Sequence, residues 1–202
     1  MVWDTEGTKR KILEAATGEF ARRGPDGTTI EQIAKLAGVN KERVYNYFGS
    51  KPALFAYVLR EQLTVAAQNV AVESFSVEDV GEYAGRLYDY HRQHPELVRL
   101  LQWESLTAGS EVPEEQQRRE FYAQKTAAFR DGQSVGVLSA AIAPDLFYFL
   151  LLSLAAYWAV LPQVARMITG TTIDQEEEHA RRRASVVVAA RRLANPNQDA
   201  LS

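Results

Sequence analysis

Side chains suited to holding another molecule cluster between positions 40 and 47. Lys41, Arg43 and Asn46 each carry several hydrogen-bond donors, and Tyr45 and Tyr47 add phenolic hydroxyls. Lys and Arg can bond to guanine, Asn can bond to adenine through two atoms, and hydroxyls suit phosphate oxygens. The segment therefore indicates contact with nucleic acid, provided that a scaffold presents these side chains to solvent.

The sequence pattern supplies such a scaffold as two short helices joined by a tight turn. Ala34 is small where two helices approach closely, Gly38 can take the left-handed conformation that ends a helix, and Val44 closes a small core. Asn40 caps the second helix, which runs to about Phe48. This spacing predicts a helix-turn-helix whose second helix fits the major groove of DNA.

The residues alone leave a second interpretation open for this segment. It can be one more polar helix pair on the surface of a helical bundle, with Tyr45 and Tyr47 half-buried. The pattern does not by itself decide between the two.

The rest of the chain continues the helical pattern, and strand signals are almost absent. Glycine and proline interrupt the periodicity, and the breaks predict an all-α fold of nine helices. The fourth helix is expected to reach about residue 74, proline is expected to open the helix at 113, and Asp174 is expected to cap the last one. Helix starts are expected near 5, 28, 40, 50, 76, 95, 113, 144 and 174.

Composition narrows the classes of function. The chain has 202 residues and no cysteine, which excludes disulfides and cysteine-ligated zinc. No Gly-rich phosphate loop or HExxH motif is present, and His91, His94 and His179 form no ligand pattern, so we expect neither an enzyme, a metal site nor a cofactor. Residues 1–11 are polar, so we expect no secretory signal and a cytoplasmic location.

Net charge is −3, but it is unevenly distributed. Residues 1–51 hold nine Lys/Arg and seven Asp/Glu, whereas residues 52–202 hold 14 and 19. The positive potential is therefore expected at the N-terminal end, where the candidate interface lies.

Three successive motifs extend the match beyond the helix pair. The first, R-x-x-I-L-x-A-A-x-x-x-F-x-x-x-G, is matched by KRKILEAA at 9–16 with Phe20 and Gly24. The second, T-x-x-x-I-A-x-x-A-G-V-S, is matched by Thr29, Ile33, Ala34, Ala37, Gly38, Val39 and Asn40. The third, x-x-x-L-Y-x-H/Y-F-x-S-K-x-x-L, is matched by Val44, Tyr45, Tyr47, Phe48, Ser50, Lys51 and Leu54. In these first 55 residues the chain resembles the DNA-binding domain of the TetR (tetracycline-repressor-like) family.

The resemblance implies roles by position. Lys41, Arg43 and Asn46 are expected to read bases, and Tyr45 and Tyr47 to contact phosphate or sugar. Thr28 or Thr29 and Lys51 are expected to clamp phosphates. Asn40 replaces the usual Ser or Thr cap, and Glu42 near DNA repels phosphate or accepts a bond from cytosine, so the operator sequence stays open.

The resemblance also implies a repressor that binds a palindromic operator and is released from it by a small-molecule ligand. It is expected to act as a homodimer and not to associate with a membrane. Residues 1–50 are expected to bind DNA, residues 51–195 to bind a small-molecule effector and dimerise, and residues 196–202 to form a polar tail. The candidate effector pocket comprises Tyr83, Tyr88, Trp103, Glu104, Tyr122 and Phe147. The candidate dimer interface comprises Tyr157, Leu161, Ala180, Ala184, Val187 and Val188.

Two segments of the C-terminal part allow more than one interpretation. Residues 146–165 carry no charged side chain, so they predict either a helix buried between subunits or a membrane-associated or protein-interaction module. The runs at 176–178 (EEE) and 181–183 (RRR) predict a solvated face whose charges pair with one another, and His179 is expected to share that exposure.

Overall fold

The computed structural model describes residues 5–70, 76–107, 112, 115–171 and 175–195, and it confirms an all-α fold for them. These residues form ten helices: α1 Thr5–Arg23, α2 Ile30–Ala37, α3 Lys41–Phe48, α4 Lys51–Asn69, α5 Val77–Gln93, α6 Pro95–Thr107, α7 Glu115–Ser134, α8 Pro144–Val160, α9 Pro162–Thr169 and α10 Glu176–Ala194.

The expected count of nine was wrong because the apolar stretch at 146–165 is not one helix. Pro162 lacks a backbone N–H and its ring clashes with the carbonyl of the preceding turn, so α8 ends at Val160. Leu161 takes the non-helical φ −127° and ψ 60°, and α9 leaves at 85° to α8. The expected helix start at 113, the cap at 174, the fourth-helix end near 74 and the tail lie outside the described residues.

Among the described residues, no single helix is both long and apolar enough to cross a membrane. One bent pair, α8 with α9, satisfies the length and composition of a span only when its two parts are taken together.

The helices fall into two compact units. Unit 1 comprises Met1–Ala66 and Pro95–Glu114, and unit 2 comprises Ala67–His94 and Glu115–Ser202. Unit 1 therefore includes α6, which the sequence interpretation assigned to the effector-binding part.

The core of unit 1 follows directly from helical spacing. Ile12, Ala16 and Phe20, spaced at four residues, are fully buried along one face of α1. The Phe20 ring meets Phe55 of α4 edge-on, with centroids 5.3 Å apart. This packing, completed by α2 and α6, holds the helix-turn-helix in place.

Unit 2 is built around α5, which packs against both α8 and α10. Gly81 and Gly85 allow close approach: a Cβ at Gly81 would lie 2.6 Å from Arg191 Cγ, and one at Gly85 would lie 2.9 Å from Arg183 Cζ. Arg183 then reaches Asp89 at 2.7 Å. The two glycines of α5 therefore leave room for Arg183 and Arg191 of α10 to pack against the side of α5.

The charge face expected on α10 is solvated only in part: Glu176, Glu177 and Arg181 are exposed, whereas Glu178 and Arg182 are buried. Arg182 is 2% exposed, and its Nε donates to Glu178 at 2.6 Å. Hydrogen bonds from Arg181 and Arg182 lower the pKa of Glu178 to about 2. His179 is also buried, stacks on Tyr88 and has Nε2 3.3 Å from Asp89 Oδ1. Paired charges can be buried, which a run of like residues does not reveal.

Candidate nucleic-acid interface

The turn between α2 and α3 has the geometry that Gly38 predicts. Gly38 lies in the left-handed region at φ 68°, and its N–H donates to the carbonyls of Ala34 and Lys35. The N–H of Val39 donates to the Ala34 carbonyl at 3.0 Å. These bonds satisfy the last carbonyls of α2 and fix the direction in which α3 leaves.

Side-chain caps fix the starts of both helices. Asn40 Oδ1 accepts the N–H of Arg43 at 3.0 Å. Thr29 Oγ1 accepts the N–H of Gln32 at 3.2 Å, and Gln32 Oε1 accepts the N–H of Thr29 at 2.9 Å. The Asn40 amide and the Thr29 hydroxyl still have donors to offer, because each cap uses only an acceptor atom.

The face of α3 that turns away from the core is polar. Val44 is 1% exposed, whereas Lys41, Tyr45 and Asn46 are exposed. Lys41 Nζ lies 3.5 Å from Glu31 Oε1 of α2, but both side chains are more than half exposed. Such a surface pair contributes little, so Lys41 can exchange it for another anion.

The C-terminal half of α3 is held more firmly than its start. Phe48 meets Tyr57 of α4 with ring centroids 5.3 Å apart, and Arg60 lies over the Tyr57 ring at 4.3 Å. Lys9 of α1 lies over the half-buried Tyr47 ring at 5.9 Å. Lys9 therefore adds a cation beside Tyr47 that sequence reasoning missed, because the contact joins residues 38 positions apart.

The structure gives Thr28 and Lys51 internal partners. Thr28 is fully buried, and its hydroxyl donates to the Glu19 carbonyl at 3.2 Å, so it does not present that hydroxyl to a ligand. Lys51 Nζ donates to the carbonyls of Pro25 at 2.6 Å and Thr28 at 3.1 Å. Of the two threonines, Thr29 remains the candidate for the predicted phosphate contact. Lys51 has one ammonium hydrogen left for a phosphate.

The six predicted effector residues do not form one cluster. Tyr83 and Phe147 join an aromatic group in unit 2 through Phe129, and Tyr122 joins it through Tyr148 at 6.4 Å. Tyr148 was missed, although its spacing with Leu151 and Ala155 marks the inner face of α8. Tyr88 packs separately, stacked on His179 and edge-on to Trp158.

Buried hydroxyls give the aromatic group its polar element. The Tyr83 and Tyr148 oxygens lie 3.4 Å apart, and both residues are at most 5% exposed. Burial raises the pKa of both phenols, so each remains a protonated hydroxyl at neutral pH.

Trp103 and Glu104 belong to α6 and therefore to unit 1. The Trp103 indole lies on Gly24, where a Cβ would be 2.7 Å from the ring, and its Nε1 donates to the Ala21 carbonyl at 3.4 Å. Glu104 is 8% exposed. Trp103 thus packs on the end of α1, within unit 1.

The predicted interface residues split between two faces. Tyr157 is 60% exposed and Val188 47%, Ala180 and Ala184 are exposed, and Leu161 is half-buried. Val187 instead lies inside unit 2, with its Cγ2 beside Gly85, because it points a third of a turn away from Val188. The exposed stripe also contains residues of α8 that were not singled out: Leu146, Phe149 and Leu150.

Comparison with known proteins identifies both parts of this architecture. The family model "Bacterial regulatory proteins, tetR family" matches residues 12–58, and "Tetracyclin repressor-like, C-terminal domain" matches residues 79–192. The chain belongs to the TetR family. As a TetR-family protein, it is a helix-turn-helix, DNA-binding transcriptional regulator, and the membrane-associated alternative is not favoured.

Similar TetR-family proteins match across most of the chain. The HTH-type transcriptional repressor SCO4008 of Streptomyces coelicolor is 47% identical over 83% of this chain and 86% of its own. The HTH-type transcriptional repressor NicS of Pseudomonas putida is 31% identical over 75% of each chain. The crystal structure of SCO4942 from Streptomyces coelicolor, described as a transcriptional regulator, is 32% identical with a TM-score of 0.80, covering 94% of this chain and 99% of that one.

Proposed function

We propose that this TetR-family protein is a cytoplasmic repressor that binds an inverted-repeat operator as a homodimer and leaves it when a small molecule binds. The observation that carries the DNA-binding part is the exposed polar face of α3, fixed by the Gly38 turn and the Asn40 cap. The relative SCO4008 is named a transcriptional repressor, which supports repression rather than activation for this chain.

The polar face of α3 supports two kinds of DNA contact along the helix, one to base edges and one to the backbone. Lys41, Arg43 and Asn46 read base edges, and Tyr45 and Tyr47 hold phosphate or sugar. Lys9, above the Tyr47 ring, adds positive charge at the phosphate-contacting end. Thr29 and Asn40 cap α2 and α3, and Lys51 binds the carbonyls of Pro25 and Thr28; all three supply their remaining donors to phosphates.

The exposed apolar stripe of unit 2 supports dimerisation through α8 and α10. On α8 it runs through Leu146, Phe149, Leu150 and Tyr157, which recur at helical spacing on one face. On α10 the small residues Ala180 and Ala184 allow close approach. Two copies then form a four-helix bundle, and the two α3 helices read half-sites about 34–40 Å apart.

The aromatic group around Tyr83 and Tyr148 supports the effector site. Its rings suit an apolar or aromatic molecule, and the two buried hydroxyls suit one polar atom of that molecule. An effector that prefers the conformation unable to bind DNA lowers the affinity for operator, and operator lowers its affinity by the same factor.

Mobility shifts on the DNA flanking the gene test the DNA-binding claim. Binding should weaken steeply between about 50 and 200 mM salt. Arg43→Ala and Asn46→Ala should each lose about 1–3 kcal/mol at one base position per half-site. Arg119→Ala removes a 73%-exposed charge from α7 and serves as the control, with unchanged binding. Equal losses on every sequence would contradict the base-reading role.

Release of labelled operator by a panel of aromatic and apolar molecules tests the effector claim. Tyr148→Phe removes one hydroxyl and keeps the ring, so it should weaken the response to an active molecule while operator binding without ligand is unchanged. Tyr45→Phe is the opposite control and should affect only DNA binding. An unchanged response in Tyr148→Phe would move the effector site elsewhere.

A further inference from the structure

Helix α9 presents an apolar face to solvent. Every residue of α9 is at least partly exposed, and Val164, Met167 and Ile168 are 39%, 72% and 79% exposed. Their spacing of three and four places them on one side of the helix. A contiguous apolar face of this kind marks a protein contact rather than a solvated surface.

The helix is held in this position by buried charge. Arg182 Nη2 donates to Thr169 Oγ1 at 3.1 Å and Thr171 Oγ1 at 3.3 Å. Arg182 is itself anchored by Glu178 and lies over the Trp158 ring at 5.3 Å. Together with the 85° bend after α8, these contacts hold α9 as a fixed arm.

A groove of about 850 Å³ lies along α10 and is closed by the segment before α8 and by Leu154 of α8. Apolar side chains line much of it, including Ile142, Leu154, Val188 and Leu193. The Ser139 N–H donates to the Ala194 carbonyl at 2.9 Å, which ties the segment before α8 to the end of α10. The groove therefore extends toward the N-terminal end of α8, whereas the α9 arm follows its C-terminal end.

We propose that the α9 arm of one copy inserts Met167 and Ile168 into this groove of a second copy, and the reverse. This proposal rests on the dimer proposed above. If the two-fold axis passes near Ser153, midway along the α8 stripe, the C-terminal end of one α8 lies beside the N-terminal end of the other. Each arm then faces the partner's groove, and both apolar surfaces are covered by one reciprocal contact.

A second copy suits this groove better than the chain's own C-terminal tail. Residues 196–202 read PNQDALS and contain one large apolar side chain, Leu201. The arm offers three, and it follows in the chain directly after the exposed α8 stripe that ends at Tyr157. Arm, stripe and groove therefore form one surface that is complementary to itself.

Disulfide trapping tests the contact, because the chain contains no cysteine. The double variant Met167→Cys/Ile142→Cys should form a covalent dimer on mild oxidation, and Met167→Cys/Val188→Cys provides a second pair. The 17 residues of α8 span about 25 Å, so positions 167 and 142 are too far apart to link within one chain. Each single variant should stay unlinked. No dimer from either pair would overturn the proposal.

Sedimentation supplies a second measurement that separates the arm from the dimer. Ile168→Asp should weaken dimerisation at least tenfold, whereas Leu106→Asp, at a 76%-exposed site in unit 1, should not change it. A chain that dimerises normally with Ile168→Asp and does not cross-link overturns the arm while leaving the proposed function intact. A chain that is monomeric without any substitution overturns the dimer itself.

Truncation after Asn195 should leave the cross-link unchanged, and a cross-link seen only after truncation would make the tail the occupant and overturn the arm.

Discussion

The two units of this TetR-family protein expose opposite kinds of side chain. On α3 of unit 1, the outward residues are Lys41, Tyr45 and Asn46, whose polar atoms bond equally well to water. Of the fourteen large apolar side chains that are exposed among the described residues, eight lie on α8, α9 and α10 of unit 2.

This contrast matches two kinds of association. A polar face remains hydrated when it is unbound, so it can engage and release a charged polymer, with an affinity set by salt. The exposure of an apolar face to water is unfavourable, so such a face favours burial against a lasting partner. Binding of this kind depends little on salt. We therefore expect the DNA contact to be reversible and the proposed contact between subunits to be lasting.

The largest expected effect separates the two units. Phe20→Ala leaves a cavity in unit 1 beside Phe55 and should cost about 3–5 kcal/mol of unfolding free energy. DNA binding should be lost while dimerisation through unit 2 persists, as measured by mobility shift and sedimentation. Leu36→Ala, at a 63%-exposed site of α2, is the control and should cost under about 0.5 kcal/mol. Loss of the dimer in Phe20→Ala would mean that the units are not independent.

Acid should destabilise unit 2 through His91. Burial, and then repulsion from His94, lowers the pKa of His91 to about 4. The unfolded chain binds a proton at about pH 6.5 and the folded chain does not, so stability falls as pH drops from 6.5 to 4, by at most about 3 kcal/mol. His91→Gln should remove that slope in denaturant melts, and His94→Gln should only reduce it. An unchanged slope in His91→Gln would contradict the burial argument.

Lys51 tests whether a predicted phosphate contact is also internal. Lys51→Met keeps the stem and removes two bonds to the carbonyls of Pro25 and Thr28, at a cost of about 1.5–3 kcal/mol. DNA affinity should fall for all sequences alike. The exposed Lys35 of α2 offers a control, and Lys35→Met should leave thermal stability unchanged. A shifted base preference in Lys51→Met would make Lys51 a base reader instead.

The smallest effect concerns the cap of α3. Asn40→Ala should cost about 1 kcal/mol, because the Arg43 N–H loses its acceptor. Asn40→Asp keeps the acceptor and adds a negative charge, so it should retain stability yet weaken DNA binding. Equal DNA affinity for Asn40→Asp and wild type would show that residue 40 does not approach phosphate.

The sequence predicted the helix-turn-helix well because its signals are local. Gly38 ends α2, Asn40 caps α3 and Val44 faces inward within a span of seven residues, and each acts through its immediate neighbours. Short-range spacing is therefore sufficient to place the polar face of α3.

Long-range packing explains what the sequence did not predict. Trp103 suits a pocket by type, but its position depends on α6 packing against Gly24 of α1, almost eighty residues away. Arg182 suits a solvated face by type, but its burial depends on Glu178 and on two threonines, Thr169 at the end of α9 and Thr171 just after it. The contacts of Trp103 with Gly24 and of Arg182 with the threonines leave no periodic signal.

Selection of bound sequences from a random library of double-stranded DNA tests the central claim most directly. The account predicts an inverted repeat whose half-site centres lie about one helical turn apart or somewhat more, roughly 34–40 Å. Repeating the selection with Asn46→Ala should lose preference at one position in each half-site and keep the symmetry. Enrichment of a direct repeat, or of no sequence at low salt, would contradict a two-fold dimer that reads DNA through α3.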